Sequence, residues 1–270
     1  MTAYETLLVT NDDGVAWVSL NRPERRNAFN PQMQAELRDL WRSFRYDNDV
    51  RCIVLCGEGD AFCTGIDRTE AMTEEGMATD FFSAYPTPWM YDDPGGDLGP
   101  KSNDLWKPVI AAVHGLACGG AFYMLGEVEF IIAAEDAVFF DPHVTWGMTA
   151  AFEPIQMLTK MPFQEIMRLS LLGAHERMSA ERAREIGLVT EVVPREELRE
   201  RAGWAARVIA DAPPLAVQGT MRALWTALEM PRAQALGVAN LFTRIGSDPG
   251  AFKAGQERFA SGQRPQWRRR

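Results

Sequence analysis

Residues 107–129, KPVIAAVHGLACGGAFYMLGEVE, constrain this chain more than any other stretch. The apolar run 109–113 reads as a short buried strand, with His114 and Gly115 as the turn out of it. Gly119 and Gly120 then stand at the mouth of a helix that starts near Ala121. The first turn of a helix leaves backbone N–H groups without intrahelical acceptors, so a glycine pair at that point can present donors to a developing anion. Glycines there also permit close packing. The stretch alone leaves both readings open.

The same event occurs earlier in the chain. A buried strand over 51–56 runs into GEGDAFCTGID, 57–67, and again a strand ends in a glycine-bearing loop, here near Gly65. Two such loops, each followed by helical sequence, can face each other. They indicate an α/β chain with a repeated ββα layout. A dinucleotide fold is not indicated, because no GxGxxG opens a helix and no GxxxxGK[ST] is present.

The remaining segments fit around these loops. Strands over 6–10 and 15–20 flank the turn sequence Asn11-Asp-Asp-Gly14, which predicts a hairpin. A polar, basic loop covers 21–29. Asn30 then caps a helix with Pro31 at its first position, and Met33, Leu37, Leu40, Trp41 and Phe44 share its core face. Over 68–107 the pattern loosens: Met72, Met77, Phe81, Phe82 and Tyr85 suggest a partly amphipathic helix, followed by a loop rich in proline, glycine and acids. Strands are expected over 130–134 and 138–140, with a loop at 141–147. Helix is expected from Glu153 to Leu172, then from a Ser179 cap to Gly187, and 188–193 reads as a strand. Beyond Pro194 the chain reads as helices over 197–210, 215–228, 232–243 and 252–259. Trp204, Val208, Leu224, Trp225, Leu228, Leu236 and Phe242 are the expected packing residues of this separate layer or subunit contact.

Composition excludes several partners. The formal net charge of -9 argues against nucleic acid, whose phosphates need a basic face. Arg268 to Arg270 form the single basic run and read as a solvated tail. Cys52, Cys56, Cys63 and Cys118 lack metal-type spacing and read as reduced core residues of a cytoplasmic protein; no metal site is expected. The first residues lack a basic region followed by an apolar one, so no secretory signal is expected, and no window approaches a membrane span.

Four stretches together resemble the crotonase (enoyl-CoA hydratase/isomerase) superfamily: Asn21-Arg-Pro with Asn27-Ala-Phe, Ala61-Phe-Cys-Thr-Gly-Ile-Asp67, His114-Gly-Leu-Ala-Cys-Gly-Gly120, and Ala183-Arg-Glu-Ile-Gly-Leu-Val189. Phe259 followed by Arg264-Pro265 also looks like that superfamily's ending. The resemblance implies a spiral core of ββα repeats over 1–195 and a helical trimerisation layer over 196–270, assembled as homotrimers or dimers of trimers. It implies an acyl-CoA thioester as substrate, with coenzyme A entering as part of that substrate and no separate cofactor. The family's chemistry carries over to the backbone N–H groups of Ile66 and Gly120, which would hold the thioester oxygen as it becomes an enolate. Ile66 can at the same time be a core side chain. Arg25, Arg26, Ala28, Asp67 and Arg68 match positions beside coenzyme A, and the arginines suit its phosphates. Asp67 also reads as a helix cap.

The chain departs from the hydratase pattern at two positions. Where hydratases place their two glutamates, Tyr123 and His143 stand here, which puts simple 2-enoyl hydration in doubt. His143 suits a general base near neutral pH, and Glu153, ten residues on, is placed to orient it. Tyr123 reads either as a buried aromatic or as a hydrogen-bond donor to an enolate; His114 and His175 read as structural and surface residues. Isomerisation and carbon–carbon hydrolysis or lyase chemistry with His143 as base both fit. The superfamily's β-diketone hydrolases resemble the histidine corner but lack the glycine pair. A non-catalytic acyl-CoA binding member is the alternative from another class.

Overall fold

A computed structural model describes residues 4–71 and 93–269. Among these residues two β-sheets organise the chain. The larger carries, in spatial order, β1 (Leu7–Asp12), β2 (Val15–Leu20), β3 (Cys52–Gly57), β5 (Val109–Val113), β7 (Phe130–Ala134) and β10 (Glu191–Val193). The smaller carries β4 (Ala61–Cys63), β6 (Leu116–Cys118), β8 (Val138–Phe140) and β9 (Met178–Ser179). The predicted hairpin is present, with β1 antiparallel to β2. Its turn is tighter than 11–14: Asp13 and Gly14, at φ 48° and 81°, supply the two left-handed residues that a two-residue hairpin needs, so Asn11 and Asp12 stay in the strand.

From β2 through β3, β5, β7 and β10 the pairing is parallel. Parallel strands are buried on both faces, and the period of two divides their side chains cleanly. Ile53, Leu55, Val109, Ala111 and Val113 face one core; Cys52, Val54, Cys56, Ile110 and Ala112 face the other. The first core is covered by the helix Pro31–Tyr46, which presents Met33, Leu37, Leu40, Trp41 and Phe44 as the spacing predicts. Asn30 caps it by accepting from the Met33 N–H at 3.0 Å. Each such fully buried apolar side chain contributes about 1.5–3 kcal/mol. The second core is closed by the helix Leu198–Ala210 through Leu198, Ala202, Ala206 and Ala210, whose spacing of four places them on one stripe.

The ββα repeat sets the position of the site. Each of β3, β5 and β7 in the large sheet leads into a short strand of the small sheet, β4, β6 and β8 respectively, and then into helical chain. Because β4, β6 and β8 are parallel neighbours, their C-terminal ends lie on one edge. Residues 64–67, 119–120 and 141–143 therefore emerge side by side.

Several sequence expectations change. Three-residue strands such as β4 and β6, bounded by glycines, are too short to show a period and read as loop. The helix expected over 153–172 is two helices, Phe152–Met157 and Phe163–Leu172, separated before Pro162, which biases its predecessor away from helical backbone. The strand expected over 188–193 keeps only Glu191–Val193, because Val189 N–H donates to Ala183 O in the exit of the preceding helix. Of the helices Pro214–Leu228, Arg232–Ile245 and Pro249–Ala260, only Met221 is buried. Val208, Leu224, Leu228 and Leu236, expected as packing residues, are 53–65% exposed, while Trp204, Trp225 and Phe242 are half-buried. Apolar spacing marks a face without naming what covers it.

The expected helix with Met72, Met77, Phe81, Phe82 and Tyr85 lies outside the described residues. Among the described residues no helix is long and apolar enough to cross a membrane.

Candidate active site

The two glycine loops meet. Phe29 N–H donates to Gly65 O and Asp67 N–H donates to Phe29 O, both at 2.8 Å, so Ile66 is held in a short parallel bridge with its own N–H turned away from Phe29. Gly120 precedes the helix Ala121–Glu127. Among the described residues neither the Ile66 nor the Gly120 N–H meets an acceptor. A Cβ on Gly65, where φ is +80°, would lie 3.0 Å from Gly120 N, and one on Gly120 would lie 2.4 Å from Phe29 Cε1. The close packing that the glycines permit is what brings these two N–H groups to one edge. The Ile66 side chain is 40% exposed, so the reading of it as a core residue is wrong; the bridge fixes its backbone and leaves the side chain outside.

His143 follows β8 beside this pair. Its ring Cε1 lies 3.7 Å from where a Cβ on Gly119 would stand. Asp141, fully buried, accepts from the His143 backbone N–H at 3.1 Å and from ring Nδ1 through the same oxygen. Nε2 faces Glu153 Oε1 at 3.4 Å. With Nδ1–H committed to Asp141, the proton that titrates is the one on Nε2. The hydrogen bond to Asp141 raises the pKa of His143 against the opposing effect of burial, and burial raises that of Glu153. The ring of His143 thus stands between Asp141 and Glu153. Reading the sequence missed Asp141 as a partner; its signal was the Asp-Pro-His turn itself.

Tyr123 is 5% exposed, and its Oη donates to Asp93 Oδ2 at 2.7 Å. Asp93 Oδ1 accepts from the Gly95 N–H at 2.9 Å. No local pattern singles out Asp93, which reaches Tyr123 from 30 residues away.

The positions matched to coenzyme A divide into two groups. Asp67 is buried against Arg22 at 3.0 Å and caps the following helix by accepting from Thr69 N–H and Oγ1. Burial acts to raise its carboxyl, but the Thr69 hydrogen bonds and Arg22 hold it below the usual range. Ala28 is also buried, and its carbonyl accepts from Arg22 Nη1 at 2.6 Å. Arg25 and Arg26 are exposed on the rim, and the Arg68 guanidinium lies 5.3 Å from the Trp146 ring centroid.

Elsewhere, His114 is buried with Nε2 3.0 Å from Gly59 O, and His175 is exposed. All four cysteines are free and buried, and burial pushes the Cys63 and Cys118 thiols up to about 12. A large apolar cavity lies away from the glycine loops, between the start of β7 at Phe130 and the helix Pro214–Leu228. Among the described residues no cluster is suited to a metal ion.

Comparison with known proteins finds relatives over nearly the whole chain. The model of the family described as Enoyl-CoA hydratase/isomerase matches residues 10–270. The (E)-benzylidenesuccinyl-CoA hydratase of Thauera aromatica is 34% identical over 265 residues, covering 97% of this chain and 98% of that protein. The 1,2-epoxyphenylacetyl-CoA isomerase of Escherichia coli K12 is 29% identical over 272 residues, with 97% and 98% covered. The crystal structure of an enoyl-CoA hydratase/isomerase from Mycobacterium paratuberculosis superposes with a TM-score of 0.86 at 34% identity, covering 99% of this chain and all of that one. With the order of its sheets, its paired glycine loops and these matches over nearly its whole length, this chain belongs to the enoyl-CoA hydratase/isomerase family of the crotonase superfamily.

Proposed function

We propose that this acyl-CoA-processing protein forms an enolate from its thioester substrate. The Ile66 and Gly120 N–H groups hold the oxygen, and His143 moves the proton at the adjacent carbon or on a water. Donors fixed before the reaction stabilise charge that develops only in the transition state, at about 3–4 kcal/mol per donor. The carrying observation is His143 standing beside the glycine pair with Asp141 on one ring nitrogen and Glu153 facing the other. When Nε2 takes a proton, the imidazolium lies between two carboxyl groups that favour it. When it returns the proton, Asp141 still fixes the ring.

This acid–base set differs from two glutamates on one water, so the reaction is an isomerisation or a lyase step in preference to simple 2-enoyl hydration. Carbon–carbon cleavage is the second reading, favoured by a histidine at this corner with a carboxylate behind it. In either case coenzyme A enters with the substrate, and Arg25, Arg26 and Arg68 are the cations assigned to its phosphates. The exposed apolar Leu224, Leu228 and Leu236 support assembly as a homotrimer or a dimer of trimers. Turnover of short and aromatic acyl-CoAs by the wild type and by His143→Ala tests the reading. Loss of turnover with retained binding is expected in the variant; equal rates, or tight binding with no turnover in either protein, contradict a catalytic role.

A further inference from the structure

At position 123 a phenol stands where a hydratase carries an acid, yet the phenol ends on an acid: Tyr123 Oη donates to Asp93 Oδ2 at 2.7 Å. Asp93 is held in place for this contact. Its other oxygen accepts the Gly95 N–H at 2.9 Å, and a Cβ on Gly95 would lie 2.5 Å from Tyr123 Cδ1, so the loop rests on the ring at a distance open only to glycine. A buried tyrosine needs no more than a carbonyl as acceptor, and a carboxylate is the costlier group to bury. The acid also belongs to the same electrostatic neighbourhood as the rest of the site, since its charge helps raise the proton affinity of Glu153.

We propose that Asp93 is a positioning residue of the reaction, acting through Tyr123 to set whether the phenol oxygen accepts or donates a hydrogen bond in the site. This rests on the enolate reading above. Ionised Asp93 accepts a hydrogen bond from the phenol's only O–H, so Oη can meet the substrate only as an acceptor. Protonated Asp93 donates to Oη and releases the phenol O–H toward the enolate. If that proton passes to the enolate carbon, the carboxyl proton moves to Oη in the same step: one C–H bond forms, Asp93 becomes a carboxylate, and Tyr123 is unchanged. Burial, which raises the Asp93 carboxyl, prolongs the protonated form. The acid missing at position 123 is then displaced to the far side of a phenol. Among the described residues the ionisable groups around Asp93 are Tyr123 and Glu153, with His143 and Asp141 behind the latter. From the helix Pro31–Tyr46, Arg38 pairs with Asp97 at 3.1 Å.

The test is the rate of solvent-deuterium exchange at the α-carbon of phenylacetyl-CoA, a probe whose phenyl group acidifies that position, measured against pH by mass spectrometry. Asp93→Asn keeps the Oδ1 acceptor for Gly95 and removes the titrating proton. Its exchange rate should fall by about 10²-fold, the low end for acid–base catalysis, and the high-pH limb should disappear from its profile. Tyr123→Phe and the double variant should show the same loss without further decrease, and Asp93→Glu should restore the limb. A wild-type profile in Asp93→Asn, or losses that multiply in the double variant, would overturn the proposal. If Asp93→Asn does not fold, Tyr123→Phe alone decides, since a retained limb there is equally contrary. His143→Ala is run alongside: exchange abolished there but unchanged in Asp93→Asn removes only the role of Asp93, whereas exchange unchanged in His143→Ala removes the enolate reading itself.

Discussion

Replacing Gly120 by alanine should separate the donor role of this residue from its packing role. The added Cβ would stand 2.4 Å from Phe29 Cε1 and 2.8 Å from Cζ. Carbon atoms prefer about 3.5–4.0 Å, so a gap of roughly 1 Å must open. Phe29 cannot supply it readily: it is 1% exposed, and its backbone N–H and C=O are both bonded to the Gly65 loop. The Gly120 backbone must then retreat and carry its N–H off the oxyanion position. Loss of such a donor costs about 3–4 kcal/mol, or roughly 10²–10³ in kcat, while overpacking costs about 1–3 kcal/mol of stability. Gly187→Ala is the matched control. Its φ of +88° makes alanine unfavourable by about 1–2 kcal/mol, but the new Cβ meets no atom within 4 Å. Urea unfolding should find both variants destabilised to a similar degree, and steady-state kinetics on the best acyl-CoA should find the large kcat loss in Gly120→Ala alone. Equal kcat losses in the two, or full activity in Gly120→Ala, would refute the assignment of this N–H to the oxyanion.

Asp141→Asn should lower the titration midpoint of His143, followed by NMR of the ring protons, because the hydrogen bond to Asp141 is the largest cause of its raised value. A histidine raised on folding adds stability that is complete below the unfolded value of about 6.5 and is lost as pH rises through the folded one, so the same substitution should flatten the fall in stability on the alkaline side. Arg22→Ala should cost about 3–5 kcal/mol by leaving Asp67 buried without its cation, and Arg22→Ala/Asp67→Asn should be milder than Arg22→Ala alone in urea unfolding. Asp67 is held low, so its contribution is present above the ordinary aspartate range and lost as pH falls through the lowered value. Acyl groups bearing a second carboxylate should have a kcat/KM more than about tenfold below neutral ones of equal size, since Asp93, Asp141 and Glu153 already crowd the site with acid, and like charges brought together cost several kcal/mol.

The sequence is most legible where local chemistry decides. The run 109–113 is a strand because β-branched and small apolar residues fill both faces of a parallel sheet. Asn30 with Pro31 starts a helix because a side-chain oxygen and a fixed φ suit its first turn. The glycine loops could be paired because the same strand-to-loop event recurs. Legibility ends where partners are distant. Asp93 meets Tyr123 only after a short helix, β5 and β6 between them have folded, and no periodicity encodes that contact. Asp141 is two residues from His143, yet its role depends on complete burial, which composition does not show. Leu224 and Leu236 read as packing residues from their spacing, but the surface that would cover them is not part of this chain's own core.

Exchange at the α-carbon tests most directly whether His143 moves a proton beside a thioester oxygen held by Ile66 and Gly120. Phenylacetyl-CoA in D2O should gain deuterium at that carbon with the wild type, far more slowly with Gly120→Ala, and not above the uncatalysed rate with His143→Ala. Wild-type protein that binds the thioester but leaves the α-carbon unlabelled, or His143→Ala that labels it at the wild-type rate, would contradict the enolate mechanism.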